Sequence, residues 1–386
     1  MSSSRKSERV VIVGGGVSGL SIAARLAQSG VPVTLLEASQ LGFAASTRNQ
    51  GWLHSGAVFA RDNPQLARMC YASFQQVAQF CPECLEPSTE GMAYLISKPD
   101  TLALDWTQAW DAAGIPWERM ELDALFSEMP QLDRAMVQHA FLLPDRAMRS
   151  DILLQHLAAA AKNAGAEIRT ETSVRGLRST NGRIECVTTG TGEEIPAGLV
   201  ILAGGATGMP LLSDFVHCPA GKQSDYTIVP LKTHVVAIKP EIGRRPFCVV
   251  DAGGFNHIPH APQSVFASNR WVPVANSVDQ TADAGELRRL WDTFGRLFPR
   301  VDVKRYEVLE WAGTALQAMH VEQVEPGLVP LPTVIDHAHE GAGAANLLSV
   351  FSGRASLWPE LAEETRKVVL SKLNRAPTGV TRPPWA

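Results

Sequence analysis

Gly14, Gly16 and Gly19 stand at the G-x-G-x-x-G spacing in Val11-Ile-Val-Gly-Gly-Gly-Val-Ser-Gly, a pattern suited to holding a pyrophosphate. The first glycine permits a tight turn, the second lets backbone amides approach an anion with Ser18 beside them, and the third allows close helix packing. Glu37 follows at the distance where a carboxylate accepts hydrogen bonds from adenosine ribose hydroxyls and disfavours a 2′-phosphate. These residues predict a dinucleotide site without separating FAD from NAD. Cys81-Pro-Glu-Cys84 is a lone C-x-x-C with no second pair, and the histidines lack zinc-site spacing, so two incidental thiols and no metal centre are expected.

The elements that must position these groups are legible around them. Arg9 to Val13 is a β-branched run, Val17 to Gln28 has helical apolar spacing, and Val31 to Glu37 reads as a second buried strand. Asp151–Ala164 reads as a helix, and Ala166–Thr170 and Leu199–Ala203 as strands of the same parallel layer. From Tyr226 to Asn276, β-branched and aromatic runs punctuated by prolines predict an antiparallel sheet facing the substrate. Ala284–Leu297 is an amphipathic helix, and Asn346–Val350 with Arg354–Leu370 forms a final strand and helix. The division expected is a nucleotide domain over 8–80, 145–215 and 310–372, with a substrate domain over 81–144 and 216–309.

Composition narrows the function classes. The 386 residues are 45% hydrophobic and 19% charged, with a formal charge of −4, so no broad positive field favours nucleic acid. Six scattered cysteines fit a reducing compartment. The apolar stretch Val10–Ala27 is interrupted by glycines and Arg25, suiting neither a transmembrane segment nor a signal peptide, and a cytoplasmic location is expected.

The stretch Ala44-Ala-Ser-Thr-Arg-Asn-Gln-Gly-Trp-Leu-His-Ser-Gly-Ala resembles the flavin loop of the D-amino-acid-oxidase-like FAD oxidoreductases. It is similar above all to the anaerobic glycerol-3-phosphate dehydrogenase and L-2-hydroxyglutarate dehydrogenase branches. Thr172-Ser-Val, Leu199-Val-Ile-Leu-Ala-Gly-Gly-Ala-Thr and Leu348-Ser-Val-Phe-Ser-Gly-Arg-Ala-Ser-Leu continue the pattern in family order. The resemblance implies an α/β fold: a glutathione-reductase-type FAD-binding Rossmann domain and a second domain built on a mixed or antiparallel β-sheet. It implies FAD contacts from Ala45, Ser46, Arg48, Asn49, Gln50 and Gly51, from Val174, from Ala203 and Gly204, and from Gly353, Arg354, Ala355 and Ser356.

In the resembling dehydrogenases a histidine at the position of His54 faces flavin and substrate, and such an imidazole can take a hydroxyl proton as hydride leaves. Resemblance to dimethylglycine dehydrogenase implies, as a second option, covalent flavin attachment at His54, although noncovalent FAD is the main expectation. Arg354 is expected to stabilise reduced flavin or to bind an anionic substrate. His257 is the third catalytic candidate, with His260, Tyr226 and His234 facing the substrate from the sheet as weaker ones. One departure is plain: the glycerol-phosphate branch has a phosphate-holding arginine where this chain has Ala315. Arg270, Arg244 and Lys232 are alternative anion contacts. The reading is hydride transfer from a small hydroxyl-bearing molecule to flavin. Its alternatives are oxidation of an amine or amino acid, and a noncatalytic FAD-binding subunit. Oxygen, a quinone and a carrier protein all stand as acceptors.

Overall fold

A computed structural model describes residues 8–87, 90–97, 100–216, 225–320, 331–338 and 344–375. The β-branched run Val10–Val13 becomes the centre of a six-stranded sheet ordered Thr333–Asp336, Leu347–Phe351, Leu199–Leu202, Val10–Val13, Val33–Leu36, Glu167–Arg169. All neighbours are parallel except the first pair. Side chains alternate across the sheet, so Val10 and Ile12 face a helical layer whereas Val11 and Val13 face a β-meander over residues 174–196. Ile12 is fully buried, a position where truncation to alanine costs about 2–5 kcal/mol. The helix Val17–Gln28 packs between Ser150–Asn163 and Trp358–Lys372.

The second layer is a mixed sheet. Its path runs Val272–Pro273, Tyr226–Lys239, Gln263–Ala267, Phe255–His260, Phe247–Val249, Met92–Ile96, His139–Leu143, Glu118–Arg119. Pairing is antiparallel except between Phe247–Val249 and Met92–Ile96. The helix Ala284–Leu297 starts at Asp283, whose carboxylate accepts from the Gly285 and Glu286 amides. Its Leu290, Phe294 and Leu297 fall on one face and close the core over Val236 and Phe266.

The structure moves one expected boundary. Glu307–His320 pairs with Tyr226–Lys239 along its whole 14-residue length, from Glu307 opposite Lys239 to His320 opposite Tyr226. Residues 310–320 therefore extend the second sheet, and the chain rejoins the first sheet only at Thr333–Asp336. The last helix also starts later than expected: a short 3-10 turn, Ala355–Leu357, precedes Trp358–Lys372. Among the described residues no helix is long and apolar enough to cross a membrane.

Candidate functional site

A cavity of about 400 Å³ lies where the carboxyl ends of the first sheet meet the second, the crevice that open α/β sheets leave for ligands. Gly14, Gly16, Ser18 and Glu37 line it. Gly14 has φ +114° and donates to the Leu36 carbonyl at 2.8 Å, and a Cβ added there would stand 2.5 Å from the Ala203 carbonyl oxygen. Gly16 precedes the helix Val17–Gln28 and offers it no side-chain cap. The Val17 amide donates to the Ser46 hydroxyl at 3.0 Å. Gly19 is absent from the cavity wall; a side chain there would strike the Gly14 carbonyl, so its task is close packing.

The Glu37 carboxylate accepts from the Gly15 amide at 2.6 Å and the Ser39 amide at 2.8 Å, and both oxygens keep further accepting capacity. A helix N-terminus preceded by glycine, a Cβ-free turn and a fixed carboxylate fit a dinucleotide's pyrophosphate and ribose.

The loop after Glu37 is organised by its own side chains. Thr47 donates to the Gly42 carbonyl at 2.6 Å, and Asn49 donates to Ser46 O at 2.9 Å while accepting from the Gly51 amide at 2.8 Å. Ala45, Ser46, Arg48, Asn49 and Gln50 consequently line the cavity. Gly51 does not: it has φ +71°, and a side chain would collide with the His260 ring. His260 lies between the Gln50 carbonyl and Glu86 at 3.0 Å each, supporting the loop from behind. Asp145, with no exposed surface, accepts from Trp52 Nε1 and the Tyr94 hydroxyl at 2.9 Å each and from the Ser55 hydroxyl. Burial pushes its carboxyl upward while these donors pull it back.

That network flanks His54, which is 7% exposed and sits edge-on to Trp52 and Phe59. Its Nε2 pairs with the Ser356 hydroxyl at 2.9 Å, and Nδ1 meets no protein partner. Burial, then the charge of Arg354, lower the imidazole to about 3, so it is neutral across physiological pH. Arg354 lies over Phe59 at 4.4 Å and Trp271 at 5.2 Å. Burial lowers the guanidinium to about 10, and it stays a cation at neutral pH. Among the described residues no carboxylate pairs with it. Gly353, Ala355 and Ser356 complete this wall, with Ala203 and Gly204 from the strand Leu199–Leu202 and its turn.

Other candidates lie elsewhere. His257 is corrected to a core residue: it is fully buried, its ring nitrogens meet Arg245 O at 3.0 Å and the Ser264 hydroxyl at 2.9 Å, and Phe266 stacks on it. Val174 packs against the apolar cluster under the meander and does not line the cavity. Arg270 pairs with Glu286, Lys232 with Asp279, and Arg244 sits near Glu241; none of the three lines the cavity. Neither Tyr226 nor His234 lines it. The second sheet instead supplies Thr233, Ser268, Asn269 and Trp271, together with Ala315. Strand alternation puts Thr233 on the face opposite Lys232 and His234 without fixing which of the two faces the cavity. Gly313 marks a close approach as well, since a Cβ there would stand 2.8 Å from Arg48 O.

The buried histidines make the fold acid-sensitive. His257 and His337 are held near 4 mainly by burial, and His54 near 3. All three are neutral when folded and take a proton near 6.5 when unfolded. The unfolded chain therefore binds more protons below pH 6.5, and stability falls as pH drops from there toward 4, by at most about 1.4 kcal/mol per histidine per pH unit. Urea titrations at pH 7.5 and 5.0 are expected to show a lower midpoint at pH 5.0. His257→Gln should lessen that drop, and an unchanged drop would remove His257 from the account.

The family model for FAD dependent oxidoreductase, DAO, matches residues 9–345. One component of the anaerobic glycerol-3-phosphate dehydrogenase of Escherichia coli is 31% identical over 173 residues, 45% of this chain and 32% of that protein. The match thus spans about a third of that relative's length. Glycine oxidase of Pseudomonas aeruginosa is 29% identical over 261 residues, 64% of this chain and 67% of that one. The crystal structure of L-proline dehydrogenase from P. horikoshii superposes with a TM-score of 0.72 at 19% identity, covering 98% of this chain and 97% of that one, which shows a shared fold.

Proposed function

We propose that this chain, which belongs to the DAO family of FAD dependent oxidoreductases, oxidises the C–N bond of a small amine that carries a carboxylate. The buried, neutral imidazole of His54 beside Arg354 carries this reading. Oxidising an alcohol by hydride loss calls for a base to take the hydroxyl proton, and efficiency needs its pKa near the working pH. An imidazole lowered to about 3 is badly matched to that task. A neutral amine needs no such base, because its nitrogen lone pair supports the carbon as hydride departs. FAD, when bound, supplies the hydride acceptor.

The chain's residues do the rest. Arg354 binds the substrate carboxylate, and Phe59 and Trp271 flank the guanidinium and keep water from it. The same positive charge disfavours a bound ammonium and selects the free amine. His54 keeps Ser356 and the loop in register through Nε2. Ala315 in the cavity wall leaves no guanidinium for a phosphate at that position. The likeness to a protein named glycine oxidase supports amine chemistry over the hydroxyl reading. In this reading the flavin is held noncovalently, with His54 engaged through Nε2 in positioning Ser356.

Anaerobic mixing with glycine, N-methyl glycine, cyclic amino acids, 2-hydroxy acids and glycerol 3-phosphate tests this. Amines should bleach the oxidised flavin band, with kcat/KM rising with pH toward the amine's own pKa and not bending near 6.5. Bleaching by hydroxy compounds alone would overturn the proposal. Acid precipitation should leave the flavin in solution, and a yellow pellet would refute noncovalent binding.

A further inference from the structure

The fold gives the C-x-x-C pair two neighbours that its spacing does not reveal. Cys81 closes the helix Pro64–Phe80, and Pro82–Cys84 forms a 3-10 turn packed on the helix Ser150–Asn163. That helix carries His156. One ligand atom each from Cys81, Glu83 and His156 lies within 4.8 Å of the others, and the Cys84 thiol is in hydrogen-bonding reach of Cys81. Cys81 is buried, His156 half-buried and Glu83 exposed, so the cluster opens to solvent on one side. None of these residues lines the cavity.

We propose that Cys81, Glu83 and His156 form a site for a thiophilic divalent cation, Zn²⁺, outside the flavin site. Thiolate, imidazole and carboxylate are the ligands zinc takes, and in a tetrahedral site their donor atoms stand roughly 3.5 Å apart. Binding replaces the Cys81 thiol proton by the metal and releases that proton to solvent. The fourth position falls to Cys84 from the buried side or to water from the open one. The ion ties the end of one helix to the middle of another, so its role is structural.

The test uses the full-length flavin-loaded protein, reduced and stripped with a chelator, then titrated with Zn²⁺ against a chromogenic competitor. One equivalent is expected to bind and to raise the melting temperature. Co²⁺ in its place should show a thiolate-to-metal charge-transfer band. Outer-shell partners cost about 10–100-fold in affinity when lost, and a direct ligand should cost no less, so Cys81→Ser and His156→Ala should each weaken binding by at least about 10-fold. Cys186→Ser, a buried thiol elsewhere, should bind like the parent. His156→Ala changes a half-exposed residue and keeps the test informative if Cys81→Ser fails to fold. Absence of zinc binding by the reduced protein, equal affinity in parent and both ligand variants, or a cobalt spectrum without the charge-transfer band would overturn the proposal.

Discussion

Arg354→Met is expected to lower kcat/KM for an amino-acid substrate by about 10²–10³-fold, mainly through KM, while leaving the flavin bound. Truncating one partner of a desolvated charge pair costs about 2–5 kcal/mol, and each 1.4 kcal/mol is a factor of ten. The guanidinium suits this role because it is charged, desolvated by its surroundings and without a protein carboxylate among the described residues. Lysine should not restore activity. The flat faces of Arg354 lie against Phe59 and Trp271, and a compact ammonium cannot keep both contacts while forking to a carboxylate. An amine without a carboxylate should be nearly indifferent to the change, which separates lost binding from general damage. A variant within threefold of the parent on amino acids would remove Arg354 from substrate recognition.

Gly14→Ala is expected to abolish flavin retention, whereas Gly30→Ala is expected to leave it intact. Both glycines have positive φ, +114° and +73°, and an alanine in that region costs roughly 1–2 kcal/mol by itself. They differ in what surrounds them. At Gly30 no atom stands within 4 Å of an added Cβ, whereas at Gly14 the Ala203 carbonyl oxygen is 2.5 Å away. The second collision is with backbone of the neighbouring strand, so relief requires parting Val10–Val13 from Leu199–Leu202 beside the helix N-terminus. A loss of at least about 3 kcal/mol follows, because core strain of this kind lies in the large tail of mutational effects. The ratio of visible to ultraviolet absorbance after gel filtration, with thermal unfolding of both variants, checks the contrast. Equal flavin content would show that the turn tolerates a side chain.

The contrast explains what the sequence made legible. The glycine turn, Glu37 and the loop from Ala44 are local in the chain. Their turn chemistry and hydrogen bonds close within a few residues, as Asn49 does with Ser46 and Gly51. The second wall is assembled by pairing across long separations. Thr233 and Ala315 reach the cavity because Tyr226–Lys239 and Glu307–His320 lie side by side in one register, and nothing in either strand alone fixes which face turns inward. For the same reason Lys232 and His234 drew attention that belonged to the residue between them. His257 misled because an isolated histidine reads as reactive, while its actual partners, a carbonyl and the Ser264 hydroxyl, come from neighbouring chain segments. Arg354 was legible as a charge. Its aromatic neighbours Phe59 and Trp271 were not, being far off in sequence.

Asp145 has a consequence for time scales. Loops held by their own turns open in nanoseconds to microseconds. The segment bearing Trp52, His54 and Ser55 cannot open that way, because Trp52 and Ser55 must first leave a fully buried carboxylate that Tyr94 also binds from the second sheet. Opening this wall is therefore coupled to loosening the sheet, a sub-global event that belongs with the slow end of native-state motion. A ligand released only by opening this wall would exchange on that slow time scale.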